Sequence, residues 1–343
     1  MTGKAKKLFL SACRFLDLFD ESLPPSMNDE VFGKLLSNRM GPIVYTSLMK
    51  NGLSDKIGRE YRTVLRTLYE NGLNRNKVYR DQVSCIDSIL QNADIPYALL
   101  KGSVLCSEYP EGCRSANDID VLVSSKDLDS VSVALLSEGF RQGYLKNGIF
   151  REASRAEIVR TRMTRGETVP FIKQTGNGYL ETDVNFSFGY RNDTSHVTEK
   201  VLNESGRLSR DDFLIHLCCH LYKEATTMPW IMMGRDMTIY KYVDIYFLLH
   251  DTEYPDLFIR ARELGLEKEC AFAIAETDAL LGVPEEISET ASDILQNSKD
   301  FLHTVTDPAG HKTYIYTERD IVKRFFSDNR IKLLEETADE PLT

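Results

Sequence analysis

The chain has no run of about 18 uncharged apolar residues, so a membrane-spanning helix is excluded. It has no Cys-x-x-Cys pair. Its seven cysteines (Cys13, Cys85, Cys106, Cys113, Cys218, Cys219 and Cys270) are odd in number and give no support to a structural zinc site. They read as free thiols of a reducing compartment, and a cytoplasmic location is expected. A secretion signal is lacking too: MTGKAKKLFLSACRFLDLF has a basic head, but Arg14 and Asp17 interrupt its apolar stretch, and it reads as an amphipathic helix. Basic charge is scarce. With 42 Lys plus Arg against 52 Asp plus Glu the net charge is −10, which repels phosphate backbones at long range, so nucleic acid is not an expected partner. Tryptophan occurs once, at Trp230 among apolar neighbours, and reads as core rather than as a stacking platform.

What is present is an ordinary globular composition, 42% hydrophobic and 27% charged over 343 residues. At about 150 residues per domain, that length suggests about two domains. Residues 1–95 carry apolar residues at three- and four-residue spacing, punctuated by Pro24–Pro25 and Gly41–Pro42, and read as a helical region. The pattern changes after Asp94-Ile95-Pro96. Tyr97–Leu100 is a short apolar run that ends at Lys101-Gly102-Ser103, and a helical stretch follows from Val104. The turn-rich PEGCRSAND leads into Ile119–Val123, a strand by its β-branched content. Leu128–Gly139 is an amphipathic helix stopped by its glycine. Residues 141–178 resist a clear reading; they hold eight Lys or Arg against three acids, either a solvated face or a lid over a ligand. Tyr179–Phe188 alternates as a strand, with Glu181, Asp183 and Asn185 on one face. From Asp211 onward the chain reads as helical again, with 201–343 as a helical C-terminal region.

Asp118 and Asp120 stand two apart at the head of a strand, so both carboxylates share a face, their Cα atoms roughly 6.5–7 Å apart. If the strand carrying Asp183 pairs beside it, a third acid joins them, and such a cluster calls for a cation. Hard oxygen donors favour Mg²⁺ or Mn²⁺ over zinc. Upstream, Gly102-Ser103 sits at a strand-to-helix turn. There a helix N-terminus and a side-chain-free backbone suit a phosphate, with Lys101 and Arg114 as further candidates for phosphate contact. Taken singly each feature has a plain structural reading: a capped turn, a solvated turn, a surface strand residue. His216 and His220 are four apart on one helix but lie among Leu214, Ile215, Leu217 and Cys218, so a buried hydrogen-bonded pair is favoured over a metal site. Lys223 reads as a solvated helix end and Asp244 as half of a structural salt bridge, each with a site role as the alternative.

LLKGSVLCSEYPEGCRSANDIDVLV resembles the core of the polymerase-β-like nucleotidyltransferase superfamily. That pattern is an apolar residue, Gly, Gly or Ser, about a dozen residues, then Asp, an apolar residue, and Asp or Glu. The leading Leu-Lys-Gly, the Arg before Asn-Asp-Ile-Asp, and the blocks HLCCHLYKEA and YKYVDIYFLL are similar to one branch, the uncharacterised nucleotidyltransferase family of bacteria and archaea. The gap before Asp118 is slightly long for the superfamily. Asn185 stands where this branch often has His. The resemblance implies an α/β (α+β) fold: a small mixed twisted nucleotidyltransferase sheet at 96–200, with helical N- and C-terminal regions. It implies two-metal transfer of an NMP, with AMP expected, from an NTP, with ATP expected, to a hydroxyl or phosphate acceptor with release of pyrophosphate. Asp118, Asp120 and Asp183 would be the metal ligands and catalytic carboxylates. Lys101, Gly102, Ser103 and Arg114 would bind the nucleotide, and the acceptor would be a small molecule or a protein. The rival readings are a protein- or tRNA-modifying enzyme of toxin–antitoxin type and a catalytically silent nucleotide-binding module.

Overall fold

The computed structural model describes residues 1–176, 178–189, 195–203, 205–296, 298, 300–307 and 311–337. The chain forms two compact units, one of Met1–Tyr69 with Leu217–Thr343, the other of Glu70–His216. The fold is α/β, with a mixed sheet of six strands and a second sheet of three.

The N-terminal helices are α1 (Gly3–Cys13), α2 (Asp29–Ser37) and α3 (Gly41–Lys50). Thr2 caps α1 and Asn28 caps α2, each accepting a backbone N–H of the first turn. The Gly41–Pro42 pair opens α3, with the proline where its missing N–H costs nothing. Helix α4 is long, Arg59–Asn92.

The unit Glu70–His216 contains β1 (Tyr97–Leu99), α5 (Gly102–Glu108), β2 (Ile119–Val123), α6 (Leu128–Ser137), β3 (Arg141–Lys146), β4 (Ile149–Glu152), α7 (Arg155–Arg165), β5 (Phe171–Thr175), β6 (Gly178–Asn185) and α8 (Ser195–Val201). The strand order is β1-β2-β6-β5-β3-β4. Among the described strands of this sheet, β2 and β6 pair in parallel and the other strand pairs are antiparallel. Every residue of β2 is buried, as an unbroken Ile-Asp-Val-Leu-Val run at a sheet centre requires. Strand β6 buries Leu180, Thr182 and Val184 and leaves the alternate residues half-buried, the period-2 pattern of its sequence. Helix α6 buries Leu128, Val131 and Leu135 at helical spacing and ends two residues before Gly139, whose φ of +84° stops it. The basic stretch after residue 140 folds as β3, β4, α7 and β5. Helix α7 buries none of its residues and is held by a Ser154–Glu157 capping box and a left-handed Gly166.

The remaining helices are α9 (Arg210–Ala225), α10 (Met228–Met232), α11 (Ile239–Asp251), α12 (Leu257–Leu264), α13 (Glu267–Leu281), α14 (Glu285–Gln296) and α15 (Ile321–Phe325). Between and after them lie β7 (Thr304–Asp307), β8 (Lys312–Tyr316) and β9 (Leu334–Glu336), an antiparallel sheet within a region expected to be helical. The core of this unit holds charge. Arg324, 1% exposed, donates to Glu276 at 3.0 Å, and Tyr242 donates to the other oxygen of that carboxylate at 2.8 Å. Burial raises the Glu276 pKa against the pull of Arg324. Arg330 grips the fully buried Asp236 through two nitrogens, at 2.5 and 2.6 Å. His303, just before β7, has a buried Nδ1 without a hydrogen-bond partner. Burial, with Arg324 and Arg319 nearby, pushes its pKa down to about 4.

Candidate active site

Leu99 ends β1 opposite Val121, and the next residue, Leu100, donates its N–H to Asp120 O at 2.9 Å. The chain then reverses in a turn closed by Ser103 N–H to Leu100 O at 3.0 Å. Lys101 takes its first central position at φ 46° and ψ −120°, the type II′ geometry that glycine usually adopts. A lysine held there stores strain on the order of 1–3 kcal/mol. The turn aims its side chain at the neighbouring strand, where Lys101 Nζ donates to Asp120 Oδ1 at 2.7 Å. The Asp120 side chain is 7% exposed and that of Lys101 23%. Burial works to lower the Lys101 pKa, but the Asp120 carboxylate, with Asp183 and Asp118, outweighs it and raises the pKa.

Gly102 opens α5, and its missing side chain has a local cause. A Cβ there would stand 2.4 Å from Ala116 Cβ, on the loop that leads to Asp118. Ser103 is buried, its Oγ 3.3 Å from Tyr79 Oη, and the same Tyr79 hydroxyl donates to Asp118 O at 2.7 Å. Tyr79, on α4, thus ties the turn to the carboxylate loop. Nothing in its neighbourhood of the sequence marks it, because its partners lie 24 and 39 residues away. A second close approach steadies the same loop: a Cβ on Gly72 would meet Gly112 O at 2.4 Å. Arg114, half-buried in that loop, donates to Ser115 O at 2.6 Å.

The parallel pairing of β2 with β6 sets Asp120 directly beside Asp183. Adjacent strands lie about 4.8 Å apart, so the two carboxylates share one sheet face, with Asp118 immediately before β2. Glu181, two residues before Asp183 on the same face, is a fourth acid that the sequence pattern displayed without any sign that it joins the group. Burial first, then the charges of Asp120 and Asp118, lift the Asp183 pKa well above the usual carboxylate range, while Lys101 opposes the shift. Burial and Asp118 raise that of Glu181.

Among the described residues no three His, Cys, Asp or Glu side chains stand at ligand spacing around one point. The donor set is nevertheless one of hard oxygens, and Asp183 Oδ1 is buried without a hydrogen-bond partner. These acids suit Mg²⁺ or Mn²⁺, and nothing in the group suits a softer metal. His216 is buried with its ring 5.3 Å from that of Phe188. His220 pairs with Glu224 at 3.3 Å, and Glu224 also pairs with Lys241. His220, Lys223 and Asp244 belong to the unit that contains Leu217–Thr343.

The family model described as uncharacterised nucleotidyltransferase matches residues 32–282, more than half of the chain. No curated protein and no solved structure gives a match. With the strand–turn–helix, the paired aspartates and the mixed sheet in place, the chain belongs to the uncharacterised nucleotidyltransferase family and is a transferase enzyme.

Proposed function

We propose that this enzyme moves a nucleoside monophosphate, AMP in the first instance, from an NTP to a hydroxyl or phosphate oxygen of a small molecule or a protein. The observation that carries the reading is the lateral register of Asp120 with Asp183 on parallel strands, with Asp118 just ahead. Asp118, Asp120 and Asp183 would hold Mg²⁺ or Mn²⁺, which when bound supplies Lewis-acid stabilisation of phosphoryl charge. The chain's own groups do the rest. Ser103 and the turn at Gly102 receive the triphosphate, and Arg114 offsets charge that develops as the bond to the leaving group breaks. Asp183 completes the hold on the ion or, as its carboxylate, takes the proton from the acceptor hydroxyl. The acceptor oxygen attacks the α-phosphorus, the bond to the β-phosphate bridging oxygen breaks, and pyrophosphate leaves. Catalysis of this kind is mostly positioning and electrostatics.

The test is incubation of the protein with α-labelled ATP, Mg²⁺ or Mn²⁺ and cell extract. Label should move to a small molecule or a protein, and Asp118→Ala with Asp120→Ala should abolish the transfer. Transfer that survives the double substitution would refute the carboxylate mechanism. Label on RNA would place the enzyme with the tRNA modifiers. Nucleotide binding without transfer to any acceptor would leave a silent binding module.

A further inference from the structure

Lys101 is the least expected residue of the site. It occupies a backbone conformation that suits glycine. The strained position serves one visible contact: the ammonium lies 2.7 Å from Asp120 Oδ1 at the edge of a face that also carries Asp118, Asp183 and Glu181. Several acids crowded on one partly buried face repel one another, and a cation among them relieves that repulsion. Lys101 supplies such a cation at Asp120. Asp120 Oδ1, the oxygen it holds, is on a carboxylate that the proposed function gives to a divalent ion.

We infer that Lys101 is a tethered placeholder cation: it neutralises Asp120 while the site is free of divalent ions, and it must leave Asp120 before an ion binds there. Once released, the ammonium is free to turn toward the incoming triphosphate, whose charge offers it a new partner. Loading of the metal and loading of the nucleotide are thereby coupled through one side chain, with the nucleotide making metal binding easier because it gives the displaced ammonium somewhere to go. Lys101 acts here as a positioning residue. The inference rests on the reading of Asp118, Asp120 and Asp183 as metal ligands.

Calorimetric titration with Mn²⁺ alone at pH 8, with no nucleotide, tests it. Lys101→Met should bind Mn²⁺ at least tenfold more tightly than the wild type, because the competing cation is gone. Its melting temperature should be lower without the ion and rise further on saturation. Lys101→Arg, which keeps the charge, should bind Mn²⁺ as the wild type does. Lys101→Gly removes the ammonium and the backbone strain together, and serves if the Met variant does not fold. Equal or weaker Mn²⁺ binding by both charge-removing variants would overturn the inference while leaving the metal-ligand reading intact; a purely structural lysine would give that result. Absence of Mn²⁺ binding by the wild type, or binding unaffected by Asp118→Ala with Asp120→Ala, would overturn both.

Discussion

At the scale of single residues, the acidic face costs the fold stability. Asp183 is half-buried, with its Oδ1 enclosed, beside two other acids, and its ionised form is disfavoured there. Asp183→Asn removes that repulsion without changing the shape, so the ion-free protein should gain about 1 kcal/mol in urea unfolding. The same change should cut nucleotidyl transfer by about 10²–10⁴-fold, because the amide neither takes a proton nor serves as an anionic ligand. A rise in stability with full activity retained would show that Asp183 lies outside the mechanism. His303 reports a different balance. Folding favours its neutral ring, whose pKa falls to about 4 from an ordinary value near 6.5. Its contribution is therefore complete above about pH 6.5 and is lost as pH falls towards 4. The ring is partly exposed, so the discounted effect is about 1–2 kcal/mol. Between pH 7 and 4.5 the wild type should lose that much more stability than His303→Gln; parallel denaturation curves for the two would refute the assignment.

At the scale of elements, the turn before α5 and the loop before β2 form one device. Gly102→Ala would drive a methyl into Ala116, and should cost about 1–3 kcal/mol by overpacking. Adding Ala116→Gly should return most of that loss. If the glycine serves only the approach of a phosphate, the second substitution will restore nothing. Legibility in the sequence follows the same division. The β1-turn-α5-β2 order, the helix α6 and the alternation of β6 were readable because each is set by local periodicity and turn chemistry. The acids Asp118 and Asp120 were readable as a pair because two residues of one strand share a face. The lateral meeting of Asp120 with Asp183 was conditional, since no local signal dictates which strand becomes whose neighbour. Tyr79 and the Lys101 geometry carry no local signal, because both are defined by tertiary contacts and backbone angles. The basic stretch was opaque for a further reason: β3, β4 and α7 are short and mostly exposed, so they lack the buried faces that create a hydrophobic period.

At the scale of the whole molecule, the unit built from both chain ends depends on buried charge. Arg324 is enclosed between Glu276 and the ring of Tyr316, 4.6 Å from its guanidinium carbon. Arg324→Met should strand the Glu276 carboxylate and cost about 3–5 kcal/mol, whereas Arg324→Met with Glu276→Gln should cost less, since no unmatched ion remains. Thermal melts of the two variants check this, and equal losses would mean that the unmatched carboxylate is not the source of the cost. The parallel pairing of β2 with β6 has a kinetic consequence. Strands β2 and β6 are separated in the chain by two helices and three strands, so the acids on opposite sides of that seam come together only through a long-range closure. During refolding, helical signal should return early while Mn²⁺ affinity lags until β6 has docked. A peptide spanning only the Gly-Ser turn and its two following aspartates should never acquire that affinity, however faithfully it keeps the motif.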